Sequence, residues 1–174
     1  MRTSLGLMLG AVLAAGSGCK AALVPVACEP RLIRVSLSAS DRLNPDDRGR
    51  SLPTAVAVYQ LKDPSRLENA SFSDLWRDPK SALQDDLLQS EELTVSPSER
   101  VARVLTQRAF ATHLAVAALV RKPSGTSWRL TRSLAPGSDR VCTEKQPRLQ
   151  PLELSFRLEE FEVRAVEPAS APSP

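Results

Sequence analysis

Short apolar runs separated by turn-forming residues recur along the chain, and this spacing constrains the fold more than any other feature. Residues 33–39 alternate apolar and polar side chains, which is typical of a half-buried strand, whereas residues 54–61 are almost continuously apolar, as in a central strand. Similar runs cover residues 101–106, 113–120, 128–134 and 152–163. Because Pro and Gly turns punctuate these runs, the pattern predicts a mainly β fold, an antiparallel β-sandwich.

Residues 65–79 depart from the strand pattern and predict a helix. Ser65 and Glu68 have the S-x-x-E spacing of a capping box, which marks a helix start. Apolar residues recur at near-helical spacing up to Trp76, and Pro79 ends the stretch. We therefore expect a short helical insertion after the second strand, with its apolar face packed on one edge of the sandwich. Aromatic residues make up only 4% of the chain, so Leu, Val and Ala must fill most of the core.

The amino-terminal segment has the pattern of a secretory signal. Arg2 precedes an apolar stretch at residues 5–15, which is too short to cross a hydrocarbon core of about 30 Å as a helix. Small residues precede Cys19, as in lipoprotein signal peptides, although Gly16 stands where a branched apolar residue is usual. We interpret residues 1–18 as a lipoprotein signal peptide and Cys19 as the lipid attachment site. The alternative is ordinary secretion with cleavage near Gly18 and an unmodified thiol.

Acylation of Cys19 predicts both a location and a domain layout. Each buried CH₂ group contributes about 0.8 kcal/mol, so several acyl chains attach a protein to a membrane permanently. Lys20 replaces the Asp that usually retains lipoproteins in the inner membrane, which favours the outer membrane, facing the periplasm. We expect residues 19–30 to form the acylated Cys and a tether, 31–164 the sandwich, and 165–174 a disordered tail rich in Pro, Ala and Ser.

Cys28 and Cys142 are the other two cysteines of the chain. An oxidising periplasm favours a disulfide between them, which would stabilise the domain by about 4 to 5 kcal/mol in the loop-entropy account. Two separate buried thiols are the alternative. The chain has no C-x-x-C motif, which argues against a redox enzyme.

The sequence offers few groups for catalysis, metal binding or cofactor binding. His113 is the one histidine, opens a predicted buried strand and is not accompanied by a G-x-S-x-G motif. Metal sites built from His and Cys lack ligands, and the Asp46-Asp47 pair lacks the twelve-residue EF-hand pattern. The net charge of +3 comes from dispersed residues, so nucleic-acid binding is not predicted. We expect a binding protein without metal, cofactor or enzyme activity.

Residues 40–53 form a long connection between the first two predicted strands. Most hairpin loops have two to five residues, and this one is about three times as long. Turn-forming Asn, Pro, Asp and Gly residues lie between positions 44 and 49, and Leu43 and Leu52 can fix the base of the loop. Long, ordered loops on a rigid scaffold commonly carry function, so this loop is the candidate binding site.

Distinctive short stretches follow one another through the mature chain, from about residue 31 to residue 163. They are Asn44 with Gly49-Arg50-Ser51, Val58-Tyr59-Gln60-Leu61, residues 72–76, residues 93–97 with Glu99, residues 113–118, and Trp128-Arg129. In this order and spacing they resemble the TssJ (VasD/SciN) family, the outer-membrane lipoproteins of the type VI secretion system. Leu67 and Ser98 depart from the aromatic residue and the Gly that are frequent in the family.

The resemblance implies an eight-stranded, transthyretin-like sandwich with a structural role and no turnover. It implies that the lipoprotein sits in the inner leaflet of the outer membrane and holds the periplasmic carboxy-terminal domain of TssM, an inner-membrane protein that also binds TssL. It assigns the TssM contact to the loop at residues 40–53. The expected contact residues are Asn44, Pro45, Asp46, Asp47, Arg48, Gly49 and Arg50.

Three alternatives stay open beside this interpretation, the third being an enzyme such as a periplasmic hydrolase, for which the sequence offers no identifiable catalytic group. The loop at residues 40–53 can simply pack over the end of the sandwich. The protein can also be a periplasmic ligand- or peptidoglycan-binding lipoprotein, a class that usually exposes aromatic side chains for stacking. Tyr59, Trp76 and Trp128 all lie at positions predicted to be core, which argues against this second class.

Overall fold

The computed structural model describes residues 26–27, 30–134, 141–142 and 150–166, and these contain two four-stranded β-sheets that share one core. The strands are β1 (Val26–Ala27), β2 (Leu32–Ala39), β3 (Thr54–Leu61), β4 (Leu87–Val95), β5 (Arg100–Thr106), β6 (His113–Ala118), β7 (Arg129–Ser133), β8 (Val141–Cys142), β9 (Leu152–Glu159) and β10 (Glu162–Val166). The first sheet has the order β10-β9-β2-β5, and the second has the order β4-β3-β6-β7.

The predicted sandwich of eight strands is confirmed, with two differences in how its strands pair. Within the described residues β1 and β8 form a separate two-stranded ribbon outside the two sheets. The neighbours β2 and β9 run parallel, so the prediction of a wholly antiparallel sandwich is wrong for this pair. These strands lie far apart in sequence, and the hairpin connections that make neighbouring strands antiparallel do not join them.

The two sheets differ in how many of their faces are covered. In β2 the side chains of Ile33, Val35 and Leu37 are at most 2% exposed, and the residues between them face outward. In β3 every residue except Ala55 is buried. This matches the sequence pattern, because alternation is typical of one covered face and a continuous apolar run of two.

Three short helices and a 3₁₀ turn connect β3 to β4 where one helix was predicted. They are α1 (Ser65–Asn69), α2 (Phe72–Arg77), α3 (Pro79–Leu83) and the 3₁₀ turn Gln84–Asp86. Their fully buried leucines join the sandwich core, namely Leu67, Leu75 and Leu83. As predicted, the insertion packs at a sandwich edge, since the ring of Phe72 meets that of Trp128 edge-on at 5.0 Å beside the edge strand β7.

Side-chain caps explain why the helical segment is broken into pieces. The hydroxyl of Ser71 accepts a hydrogen bond from the backbone N–H of Asp74 and caps the start of α2. The carboxylate of Asp78 accepts one from the backbone N–H of Ser81 and caps the start of α3. Pro79 occupies the first turn of α3, where its missing N–H costs no hydrogen bond. The predicted capping box at Ser65 is wrong, because Ser65 lies inside α1 and its side chain caps nothing.

The strand count also differs locally from the sequence pattern. The run at residues 152–163 is two strands, β9 and β10, joined by a tight turn in which Glu160 has a positive φ of 44°. Strand β10 continues to Val166, two residues beyond the predicted end of the sandwich at 164. Strand β4 was not predicted from periodicity because charged and polar residues interrupt its apolar positions.

The two ends of the sandwich carry different connections. At the tether end (residues 30–32, 61–62 and 106–113) the chain enters β2, and Gln107 donates its backbone N–H to the carbonyl of Arg31 at 2.8 Å. At the loop end (residues 39–54, 118–122 and 159–162) the β2–β3 loop meets the turns that follow β6 and β9. The eight residues of β2 separate these ends by about 27 Å.

Several predictions concern residues outside the described segments. They include the signal peptide at 1–18, the lipid site at Cys19, Cys28 and most of the predicted tail at 167–174. Cys142 lies in β8 opposite Val26, but its predicted partner Cys28 is not described, so the disulfide stays a prediction. Among the described residues, no helix combines the length and apolar character needed to span a bilayer.

Candidate functional site

The base of the β2–β3 loop (Leu43, Asn44 and Leu52) is fixed to the sandwich by buried contacts. Leu43 is 1% exposed, and Leu52 donates its backbone N–H to the carbonyl of Leu43 at 3.0 Å. This closes the loop on itself immediately above the core. As the sequence predicted, the two leucines hold the base.

Asn44 joins the base of the loop to two distant connections. Its side-chain oxygen accepts from the backbone N–H of Arg121 at 2.8 Å, and its side-chain amide donates to the backbone carbonyl of Leu119 at 3.5 Å. Its backbone N–H donates to the backbone carbonyl of Glu160 at 2.7 Å. The residue is 5% exposed and has a φ of 47°, a left-handed conformation that Asn tolerates better than most residues. Its side chain is therefore used inside the molecule, although it was predicted as a partner contact.

The tip of the loop (residues 46–50) is organised by the carboxylate of Asp46. One oxygen accepts from the backbone N–H groups of Arg48 and Arg50 at 2.8 and 2.9 Å, and the other pairs with the Arg50 guanidinium at 2.8 Å. These hydrogen bonds, above all the one from the backbone of Arg50, hold the pKa of Asp46 below its ordinary value of 3.8. The Asp46 side chain is 10% exposed, so it orders the tip and offers little surface to a partner.

Gly49 completes the turn at the tip. Its φ is +78°, and its backbone N–H donates to the carbonyl of Asp46 at 2.9 Å. A Cβ added at this position would meet nothing within 4 Å. The requirement for Gly is therefore one of backbone conformation and not of space.

Three side chains at the tip are exposed. Asp47 forms ion pairs with Arg121 and Lys122, both at 3.3 Å, but remains 73% exposed. Arg50 is 72% exposed even while paired with Asp46. Arg48 is exposed and forms no ion pair or side-chain hydrogen bond within the part of the chain that the structure describes. The tip thus presents one acidic and two basic groups to solvent.

A charged groove of about 510 Å³ adjoins the loop at the same end of the sandwich. Opposite charges pair within it, since Arg42 lies 2.8 Å from Glu160 and Arg164 lies 3.2 Å from Glu159. Binding sites for small molecules are mostly apolar with a few polar groups, and this groove lacks that character. Mixed charge on an open surface suits contact with another protein better.

The comparisons with known proteins place this architecture in a family. Residues 31–154 match the profile of the type VI secretion lipoproteins, a family that includes VasD, EvfM and TssJ. The chain belongs to this family. No curated protein matches the chain in sequence.

Solved structures show the same fold at low sequence identity. The chain is similar to the type VI secretion lipoprotein TssJ1 from Pseudomonas aeruginosa, with 22% identity, a TM-score of 0.67, and coverage of 83% of this chain and 99% of that one. It is similar to Lip from Serratia marcescens, a membrane-bound component of the type VI secretion system. The identity is 21%, the TM-score is 0.70, and the match covers 81% of this chain and 99% of that one. A chain in a structure described as the TssM carboxy-terminal domain from EAEC also matches. The identity is 18%, the TM-score is 0.62, and the match covers 79% of this chain and 99% of that one.

This type VI secretion lipoprotein also has a histidine, a buried tyrosine and several carboxylates away from the loop. The ring nitrogens of His113 lie 2.7 Å from the hydroxyl of Thr112 and 3.3 Å from that of Ser133. Within the described segments no group of three or more His, Cys, Asp or Glu residues is arranged to hold a metal ion. Tyr59 is buried, which raises the pKa of its phenol to about 12 and keeps it neutral. None of these groups forms a recognisable catalytic arrangement.

The aromatic residues that a carbohydrate-binding module would expose lie mostly inside this protein. Tyr59 is 1% exposed and Trp128 is 2% exposed. Trp76 is half-buried and packs against the core, as predicted. These three side chains therefore form no stacking surface at the loop end.

The sequence predicted the loop and the leucines at its base, but not the inward role of Asn44. The partners of Asn44 are 75 residues away at Leu119 and 77 residues away at Arg121. No local pattern marks such a pairing. The one available signal is that Asn, which tolerates a positive φ, stands at the start of a long loop directly after an apolar residue.

Proposed function

We propose that this type VI secretion lipoprotein is anchored in the outer membrane through acyl chains on Cys19 and holds the periplasmic carboxy-terminal domain of TssM. The observation that carries the proposal is the family match over residues 31–154. The similarity to chains in structures of a TssM domain and of a type VI membrane complex supports a partner of the TssM type. TssL would then be reached indirectly, through TssM.

We further propose that the tip of the β2–β3 loop makes the main contact with TssM. Three properties support it: the tip is exposed, it carries unbalanced charge at Arg48, and its backbone is ordered by Asp46 before any partner arrives. An ordered tip loses less conformational entropy on binding than a mobile one, which favours affinity. The contact should weaken as salt is raised, because its exposed groups are ionic.

The proposed role is mechanical and needs no chemical turnover. Asn44 ties the loop to the turns after β6 and β9, so force applied at the tip spreads over both sheets. The tether enters at the opposite end of the sandwich, at the start of β2. In this proposal the sandwich carries load between a membrane anchor at one end and a protein contact at the other.

A disulfide between Cys28 and Cys142 would strengthen the path from the tether to the sandwich. The β1–β8 ribbon brings Cys142 to the chain segment that precedes Cys28, and the residue directly opposite Cys142 in this ribbon is Val26. Mass spectrometry of the unreduced protein, with Cys142→Ser as control, tests this pairing. A free thiol at either position in wild-type protein from the periplasm would exclude it.

The anchor is tested with Cys19→Ser, followed by membrane fractionation and a secretion assay. We expect a folded, soluble periplasmic protein that no longer supports secretion. Lys20→Asp is a useful companion, because it keeps the lipid but adds an inner-membrane retention signal. Normal secretion by the Cys19→Ser variant would contradict the anchor role.

A further inference from the structure

Phe110 is the most exposed large apolar residue in the described part of the chain. Its relative exposure is 63%, although an aromatic ring of this size is normally buried. It lies in the short connection between β5 and β6, where neither sheet covers it.

The backbone holds Phe110 in this exposed position. Ala111 donates its backbone N–H to the carbonyl of Arg108 at 3.1 Å, which closes a tight turn with Phe110 inside it. The φ of Phe110 is +66°, a left-handed conformation that is uncommon for a bulky residue. The buried Gln107 braces the turn by donating from its side chain to the carbonyl of Ala111 at 3.2 Å. Strain of this kind persists where the surrounding structure enforces it, and it justifies asking what the exposed ring does.

The turn lies at the tether end of the sandwich. Arg31, which follows the predicted tether, accepts a hydrogen bond from the backbone N–H of Gln107 at 2.8 Å. Pro30 and Phe110 line the same shallow depression of about 490 Å³. The exposed ring is therefore a direct neighbour of the point at which the tether joins the domain.

Further residues give this end an amphipathic character. Leu32 is 43% exposed and lies opposite Thr106 on the neighbouring strand. Arg108, two residues before Phe110, is exposed to solvent. Exposed aromatic and aliphatic side chains beside a basic group are typical of surfaces that rest on a bilayer with anionic lipid.

We propose that the β5–β6 turn is a second membrane contact, in which Phe110 inserts into the lipid interface next to the acyl anchor. This rests on the proposed acylation of Cys19. About 11 residues join Cys19 to Pro30, so the tether end lies within roughly 40 Å of the anchored leaflet even when the chain is fully extended. At the high local concentration set by such a tether, one ring and a neighbouring Arg suffice for a reversible contact.

The contact would orient the domain as well as attach it. With the tether end resting on the membrane, the loop end points away from the bilayer, towards the side where the proposed partner lies. Without it, attachment through the amino-terminal segment alone would leave the direction of the loop tip unfixed. The turn and the loop then have separate roles at opposite ends of one rigid sandwich.

The test uses acylated, full-length mature protein in vesicles of phosphatidylethanolamine and phosphatidylglycerol with brominated acyl chains, which quench nearby tryptophan. The variants are Phe110→Trp and the matched control Leu119→Trp, a residue 40% exposed at the loop end. The native Trp76 and Trp128 give a common background. We expect the emission added by Phe110→Trp to fall about twofold, since interfacial Trp lies at headgroup level, and that added by Leu119→Trp to stay unchanged.

Equal quenching in both variants, or none in either from protein that floats with the vesicles, would overturn the proposal and leave a protein partner or a second copy of the chain as the cover for Phe110. A second arm separates this result from failure of the anchor. In it, residues 20–174 carry an amino-terminal hexahistidine segment bound to nickel-chelating lipid, so the domain is tethered whether or not Cys19 is acylated. If mature protein purified from the bacterial envelope does not float with the vesicles while quenching is preserved in this arm, the anchor alone is refuted. Absence of quenching in this arm refutes the membrane contact alone.

Discussion

The base and the tip of the β2–β3 loop are only a few residues apart, yet Asn44 at the base faces inward and Asp47 at the tip faces solvent. Asn44 at the base is 5% exposed and binds the backbone of two distant connections. Asp47 at the tip is 73% exposed, and its ion pairs with Arg121 and Lys122 are each worth at most about 1 kcal/mol. The comparison shows that a contiguous stretch with the features of a binding site divides into residues that build it and residues that are free to bind.

The largest effect on stability should come from Asn44→Ala, which tests the base. The change removes two side-chain hydrogen bonds and places Ala at a positive φ, so we expect a loss of about 3 kcal/mol in the free energy of unfolding and a fall of about 10 °C in Tm. Urea unfolding measures it. Asn44→Gly is the control, because it loses the same hydrogen bonds without the backbone strain and should cost about 1 kcal/mol less. A loss below about 0.5 kcal/mol in both variants would show that the base is not what holds the loop.

A smaller effect on stability is expected from Gly49→Ala at the tip. Since space is open around Gly49, only the backbone strain at φ +78° counts, and it should cost about 1 kcal/mol. Gly125→Ala is a matched control, because Gly125 also has a positive φ and open space but lies in another turn. Thermal unfolding should show similar losses for both variants. A binding assay with TssM should show a defect only for Gly49→Ala, and equal defects would contradict a specific role for the tip.

The smallest effect is a pH dependence carried by Asp46. Because hydrogen bonding lowers its pKa in the folded protein, its carboxylate contributes stability above the ordinary value of 3.8, and this contribution disappears as the pH falls through the lower folded value. Asp46→Asn should therefore reduce stability at neutral pH and flatten the loss of stability in acid. Urea midpoints measured from neutral pH down to about pH 2 test this. Parallel curves for wild type and variant would show that the tip does not depend on the ionised carboxylate.

Parts of this structure that depend on local patterns could be predicted from the sequence, and parts that depend on distant pairing could not. The alternation in β2 and the apolar runs in β3 and β6 identified strands, because one or two covered faces leave a direct mark on residue order. Strand β4 was missed because half-buried and exposed polar residues at positions 89–92 interrupt its apolar positions. The parallel pairing of β2 with β9 leaves no local signal at all.

In the candidate site, too, the features that depend on local sequence could be predicted and those that depend on distant contacts could not. The length and the turn-forming residues of the β2–β3 loop made it recognisable, and the Asp46–Arg50 tip fits the local turn chemistry of Asp and Gly. The inward role of Asn44 depends on Arg121 and Glu160, which become neighbours only after the sandwich forms. The exposure of Phe110 likewise depends on how the β5–β6 turn sits against Arg31.

The most direct test of the central claim is the affinity of the purified lipoprotein domain for the cognate TssM periplasmic domain, measured by calorimetry. The variants are Arg48→Glu at the tip and Arg77→Glu, a control on α2 whose side chain is 77% exposed. We predict that Arg48→Glu raises Kd about tenfold, a loss near 1.4 kcal/mol, without changing Tm, and that Arg77→Glu leaves Kd unchanged. If the wild-type domain binds TssM tightly and the Arg48→Glu variant has the same Kd, a contact through the tip of the loop is contradicted.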